Sequence, residues 1–142
     1  MTQDELKNIL KSKGVNLTKH RFEIYNYLMT EKNHPSAERI FKDLKAKGSS
    51  ISLATVYNSL DIFSRNGLLQ VLSSRDNVFR HYDADTSPHI HFRCEKCRTI
   101  IDMHHDIDFK EILKNDRFKI MDYTIFIKGL CENCHDFNNN NL

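Results

Sequence analysis

Four cysteines in two pairs carry the plainest chemistry in this sequence: Cys94-Glu95-Lys96-Cys97 and Cys131-Glu132-Asn133-Cys134. Each C-x2-C loop can present two thiolates to one ion. Two such loops close a tetrahedron with no open position, which describes structural zinc. A closed site of this kind staples a fold and does not catalyse. Residues 98–130, between the pairs, form a longer spacer than in common zinc ribbons, so a strand-helix-strand unit is expected there. A thiol redox pair or a four-cysteine iron site is the competing reading, and it lacks a thioredoxin-like context.

His89-Ile90-His91 is the second constellation. The period of two in a strand puts both imidazoles on one face and Ile90 and Phe92 on the other. Asp83 lies shortly before them and Asp102 falls in the next strand pattern, so two carboxylates could join the two histidines. A mixed nitrogen and oxygen set suits iron(II), manganese(II) or zinc better than a thiolate site does. The alternative is that these are exposed strand histidines and hinge aspartates. His104, His105 and His135 lie in polar surroundings and read as surface residues.

The elements that must position these groups fall into two halves. In the first, Leu6, Ile9 and Leu10 mark a helix that Gly14 ends. Thr18 caps a second carrying Phe22, Tyr25, Leu28 and Met29. Ser36 caps a third with Ala37, Ile40, Phe41 and Leu44, and Ser52 caps a fourth with Leu53, Val56, Leu60 and Phe63, closed by Asn66-Gly67. Strand-like runs Leu68 to Leu72 and Val78 to Tyr82, joined by the polar segment Ser73 to Asn77, then read as a hairpin. Helices followed by a hairpin give the order of a winged helix. The second half has strand patterns at His89 to Cys94 and Thr99 to Met103, a helix pattern at Ile107 to Leu113, a longer strand pattern at Lys119 to Lys128, and a polar tail at Asn138 to Asn141. The expected fold class is α+β: a winged helix at 1–82, then a small α/β unit at 83–142 that needs a staple, a partner chain, or both.

The 142 residues suffice for one ordinary domain or two small ones and argue against a large catalytic scaffold. No apolar run reaches the length of a membrane span and the N-terminus is not a secretory signal, so a cytoplasmic protein is expected, with cysteines that serve a metal and not disulfides. Residues 1–80 hold 13 Lys and Arg against 8 Asp and Glu, whereas residues 81–142 hold 8 against 11. The basic half fits nucleic acid and the other is rich in metal-ligand residue types. In the first turns of the fourth helix Thr55, Tyr57 and Asn58 are candidates for reading bases, and Lys19, Arg21, Arg75 and Arg80 are candidates for phosphate contacts. No nucleophile has a base beside it, so turnover is not expected.

Together these residues resemble the ferric uptake regulator (Fur) family, from about Leu6 to Cys134. The motifs are Thr18-Lys19-His20-Arg21, His34-Pro35-Ser36-Ala37, Ser52 to Tyr57, His89-Ile90-His91 and both C-x2-C pairs. The resemblance implies a homodimeric, metal-responsive repressor that binds double-stranded operator DNA, with a winged-helix DNA-binding domain at 1–82 and a small α/β dimerisation domain at 83–142. It implies structural zinc at Cys94, Cys97, Cys131 and Cys134. In the peroxide-sensing branch a regulatory iron or manganese is held by three histidines and two aspartates, and the matching positions are His34, Asp83, His89, His91 and Asp102. Oxidation of a ligand histidine in that branch matches His34 or His89. Iron-sensing members usually carry Glu where Asp83 and Asp102 stand, an additional site beginning in a His-His-Asp-His run where this chain has Pro88-His89-Ile90-His91, and often Arg at Asn58. His20 departs from the family's usual Gln. An iron, manganese or zinc uptake regulator on the same scaffold is the alternative.

Overall fold

The structure, a computed structural model, describes residues 1–73, 80–104, 108, 111, 114, 117–120 and 123–135. Residues 74–77 of the expected turn, including Arg75, most of the helix expected over Ile107 to Leu113, His105 and the tail lie outside the described residues. The chain divides into two compact units, Met1–Thr86 and Ser87–Leu142. The wing strand continues through Asp83, which pairs with Gln70.

The first unit runs α1 (Gln3–Ser12), α2 (Lys19–Glu31), α3 (Ala37–Ala46), α4 (Leu53–Arg65), β1 (Gln70–Ser73) and β2 (Arg80–Asp83). Side-chain oxygens of Thr18, Ser36 and Ser52 accept the backbone N–H three residues on, so each helix starts where a hydroxyl satisfies an otherwise orphaned donor. Helix α1 begins before the first apolar residue of its stripe. Thr2 and Glu5 form a capping box, with the Glu5 carboxylate accepting from Thr2 N at 2.6 Å and Thr2 Oγ1 accepting from Glu5 N at 3.2 Å. Helix α4 is closed by Gly67, two residues past its end, whose φ of +70° lets Leu68 N turn back to Phe63 O at 2.9 Å and aims the chain into β1. The apolar stripes meet in one core: Leu10, Ile24, Ile40, Val56, Leu60 and Phe63 are fully buried, and the Tyr25 and Phe63 rings pack edge to face at 5.6 Å. Removing each such side chain from water contributes about 1.5–3 kcal/mol. With β1 and β2 antiparallel, this is a winged helix with α4 in the recognition position.

The second unit is a three-stranded sheet of order β4-β3-β5, built from β3 (Ile90–Cys94), β4 (Ile100–Met103) and β5 (Ile125–Gly129). β4 is antiparallel and β5 parallel to β3. β5 is shorter than the Lys119 to Lys128 pattern because it pairs only along the five residues of β3. Register sorts the sheet into two faces. One carries Ile90 and Phe92 with their partners Met103, Ile101, Ile125 and Ile127. The other carries His91 and Arg93 with Asp102, Ile100, Phe126 and Lys128.

Candidate metal centres and nucleic-acid interface

Parallel pairing of β3 with β5 carries both strand ends to the same edge of the sheet, with Cys94 opposite Gly129. The loops that follow therefore leave side by side. Glu95 N donates to Gly129 O at 2.8 Å, Arg98 N to Cys94 O at 2.9 Å, and Cys134 N to Cys131 O at 3.0 Å, which folds each C-x2-C segment into a tight turn. One sulfur from each of Cys94, Cys97, Cys131 and Cys134 lies within 4.8 Å of every other, and Cys97 and Cys131 Sγ are 3.6 Å apart. Four thiolates at about 2.3 Å from one zinc would be roughly 3.8 Å apart, so the donor set fits such an ion. Gly129 is required by this crossing: a Cβ there would stand 3.0 Å from Phe92 Cε2.

The thiols are electrostatically unequal. Backbone N–H groups of Cys131 and Cys97 stabilise the Cys94 thiolate and bring that thiol down to about 6. Hydrogen bonding with Cys131, reinforced by burial, pushes Cys134 up to about 12. Hydrogen bonding with Thr99, whose Oγ1 is 3.2 Å away, lowers Cys97. Four negative sulfurs in one cluster repel one another, and a divalent cation is the group that lets all of them ionise.

The imidazole and carboxylate candidates form a pair in one unit and a cluster in the other. In the first unit His34 follows α2 with φ of +50°, a left-handed conformation that must be held from outside. β2 holds it: His81 Nδ1 donates to His34 O, and Tyr82 N donates to Pro35 O at 3.0 Å. His34 Nε2 is thereby set 3.3 Å from Asp83 Oδ2, while Asp83 Oδ1 accepts from Asp85 N at 2.9 Å. In the second unit the strand period aligns His89 with His91, their rings 4.3 Å apart. His91 lies opposite Asp102 in the ladder, with Nδ1 3.0 Å from Asp102 Oδ1, and His89 Nε2 is 3.4 Å from the same oxygen. His89 Nδ1 donates to Ser87 O at 2.7 Å, which leaves Nε2 with the lone pair a metal needs. Two donors at right angles on a cation at about 2.1 Å are about 3 Å apart, so both groupings have ligand spacing. His104 is exposed and its ring stacks on His89 at 5.1 Å.

On α4, Tyr57 and Asn58 are exposed and Thr55 half-buried, its Oγ1 2.8 Å from Ser52 Oγ. The Tyr57 hydroxyl donates to Glu38 of α3. Arg21 Nη1 donates to Asn16 O at 2.6 Å, so that guanidinium also braces the loop before α2. Sequence reasoning passed over Glu38 and His81. Glu38 carries only the signal of an acid in the first turn of a helix, and His81 carries none, since its partner is a backbone carbonyl 47 residues away.

The fold and these clusters define a class. The sequence profile of the ferric uptake regulator family matches residues 12–128, and the chain belongs to that family of transcriptional regulators, which are not enzymes. Within it, similarity reaches peroxide regulators. The peroxide operon regulator of Bacillus subtilis (strain 168) is 38% identical over 140 residues, which covers 94% of this chain and 96% of the relative. The structure of PerR from Streptococcus pyogenes, which concerns peroxide sensing and gene regulation, superposes with a TM-score of 0.51 at 28% identity over 94% of this chain and 92% of that one. The ferric uptake regulator of Helicobacter pylori shares the fold with a TM-score of 0.74, at 21% identity over 97% of each chain.

Proposed function

We propose that this chain is a metal-dependent repressor that senses hydrogen peroxide through a histidine and carboxylate centre and then leaves its operator. The observation that carries this reading is the imidazole–carboxylate spacing in each unit: His34 with Asp83, and His89 and His91 with Asp102. Peroxide-regulator kinship agrees with it. Zinc is assigned to the four cysteines as a structural ion, and iron(II) or manganese(II) to His34, Asp83, His89, His91 and Asp102. A cation taking donors from both units would fix them in one orientation, so binding selects the DNA-competent arrangement. The protein acts in the cytoplasm as a homodimer on double-stranded DNA. No helix among the described residues is long and apolar enough to cross a membrane. The sheet face bearing Ile101 and Ile127, both more than two-fifths exposed, suits a second copy of the chain, as does Tyr123 beside β5. Thr55, Tyr57 and Asn58 read bases, and Arg21 contacts phosphate as well as Asn16.

Iron(II), when bound, supplies one-electron reduction of peroxide, which manganese(II) does not readily do. The chain's part would be to hold imidazoles against the bound ion. His34 is fixed from behind through its carbonyl and His89 through Nδ1, so each keeps its ring in place. One oxygen added to either ring, with peroxide as the two-electron oxidant overall and water as the other product, would weaken that ring as a ligand and so loosen the centre.

The test uses operator DNA selected from a random pool by manganese-loaded protein. Iron(II)- and manganese(II)-loaded proteins are titrated onto it with and without peroxide. Peroxide should release the iron form and spare the manganese form, with one added oxygen on a peptide containing His34 or His89, the zinc retained and the cysteines reduced. Equal responses of the two forms, or oxygen on the cysteines, would reject peroxide sensing at this centre in favour of a metal-uptake regulator.

A further inference from the structure

Of the residues assigned to base reading, Tyr57 is the one tied to a different helix. Thr55 bonds Ser52 of its own cap, whereas Tyr57 crosses to the first turn of α3 and donates its only proton to Glu38 Oε1. Both partners are exposed, and a hydrogen bond between exposed groups adds little to fold stability. Its effect falls on the ring. A phenol with 41% of its surface in solvent would otherwise sample several rotamers, and ordering it during DNA association would cost affinity.

A carboxylate beside the recognition helix has a second consequence. It repels phosphate wherever the protein meets DNA, so it weakens binding to every sequence. A lysine there would bind DNA better without discrimination. Among the described residues of β2, Arg80, His81 and Tyr82 act on the pair, and the bond itself holds the phenol above and the carboxyl below their ordinary ranges. Hence Glu38 costs general affinity and contributes order at one base-reading side chain.

We infer that Glu38 is a positioning residue for DNA recognition: it pre-orders the Tyr57 ring and at the same time suppresses binding to non-operator DNA. This rests on the reading of α4 as the base-reading helix and adds to it the residue that sets its selectivity.

The test uses full-length, metal-loaded protein, the selected operator duplex and a scrambled duplex of equal length. Glu38→Ala should reduce the operator-to-scrambled affinity ratio about three- to tenfold, with scrambled DNA bound more tightly than by the wild type. Glu38→Gln keeps an acceptor without the charge, so it should bind scrambled DNA more tightly while retaining most of the ratio that Glu38→Ala loses. Tyr57→Phe should lose the ratio as Glu38→Ala does, and the double variant should lose no more than either single one. In DNA-free protein, Glu38→Ala should move the Tyr57 phenol titration to lower pH. Additive losses in the double variant, an unchanged ratio in Glu38→Ala, or an unmoved phenol alongside normal operator binding would overturn the inference alone. Wild-type protein that binds both duplexes alike would overturn the repressor reading and this inference with it.

Discussion

The winged-helix unit and the sheet unit are held together by different physics. In the first, seventeen of the described residues form one continuous buried apolar core, from Leu6 to Tyr82. In the second, the buried apolar residues among those described are Ile90, Cys94 and Cys131, two of which belong to the thiolate cluster. Among the described residues the first unit is thus held chiefly by hydrocarbon, while the second shows strand register and a cluster of sulfur atoms. The difference teaches where metal control can reside. A unit with a full core gains little from a cation, and a unit without one makes the cation part of its fold.

The comparison breaks most visibly at Cys97. Cys97→Ser, or removal of zinc by a chelator, should unfold the second unit, since structural zinc contributes on the order of 10 kcal/mol or more to such folds. Hydrogen exchange should show β3, β4 and β5 losing protection while α2 and α4 keep theirs. Phe63→Ala probes the other side. A fully buried aromatic ring in a closed core should cost about 3–5 kcal/mol, read as a lower midpoint of the helical unfolding transition with zinc content unchanged.

Gly129→Ala sharpens the comparison. Its Cβ would press on Phe92 at 3.0 Å and should cost the second unit about 1–3 kcal/mol, measured as faster zinc loss to a chelator and eased by Phe92→Leu. The smallest effect is a pH dependence confined to the first unit. Burial, with a hydrogen bond to Asp43 2.7 Å away, pushes the Tyr27 phenol from its usual 10.0 up to about 12. Between those values the folded state holds a proton that the unfolded state has lost. Stability from this group is therefore complete below pH 10 and falls as pH rises toward 12. Urea titrations across that range should show the decline, and Tyr27→Phe should flatten it.

Where local chemistry decides, the sequence was legible. Thr18, Ser36 and Ser52 cap their helices as their hydroxyls predict, and the C-x2-C spacing identifies four sulfurs that the sheet gathers within 4.8 Å. The period of two at His89 and His91 likewise gives rings on one side. Long-range pairing was not legible. The start of α1 is a local exception: periodicity marks Leu6, while the boundary is set by the capping box of Thr2 and Glu5. β5 is cut short by the length of its partner, which no local composition reveals. His34 has no periodic signal, and only family resemblance singled it out; its left-handed backbone depends on β2, whose residues come nearly fifty positions later.

The parallel pairing of β3 with β5 has a further consequence for how the protein matures. Cys94 and Cys97 leave the ribosome well before Cys131 and Cys134, and the strand that must bring the second pair alongside is made in between. By then every residue of the winged-helix core has been synthesised and can close its mostly local contacts. A nascent chain therefore carries a folded DNA-binding unit while its sheet is still waiting for two sulfurs. Supply of the ion that the four sulfurs would take is then expected to govern whether a new molecule becomes complete. Cells short of zinc during synthesis should accumulate chains with the first unit folded and the second open to proteolysis.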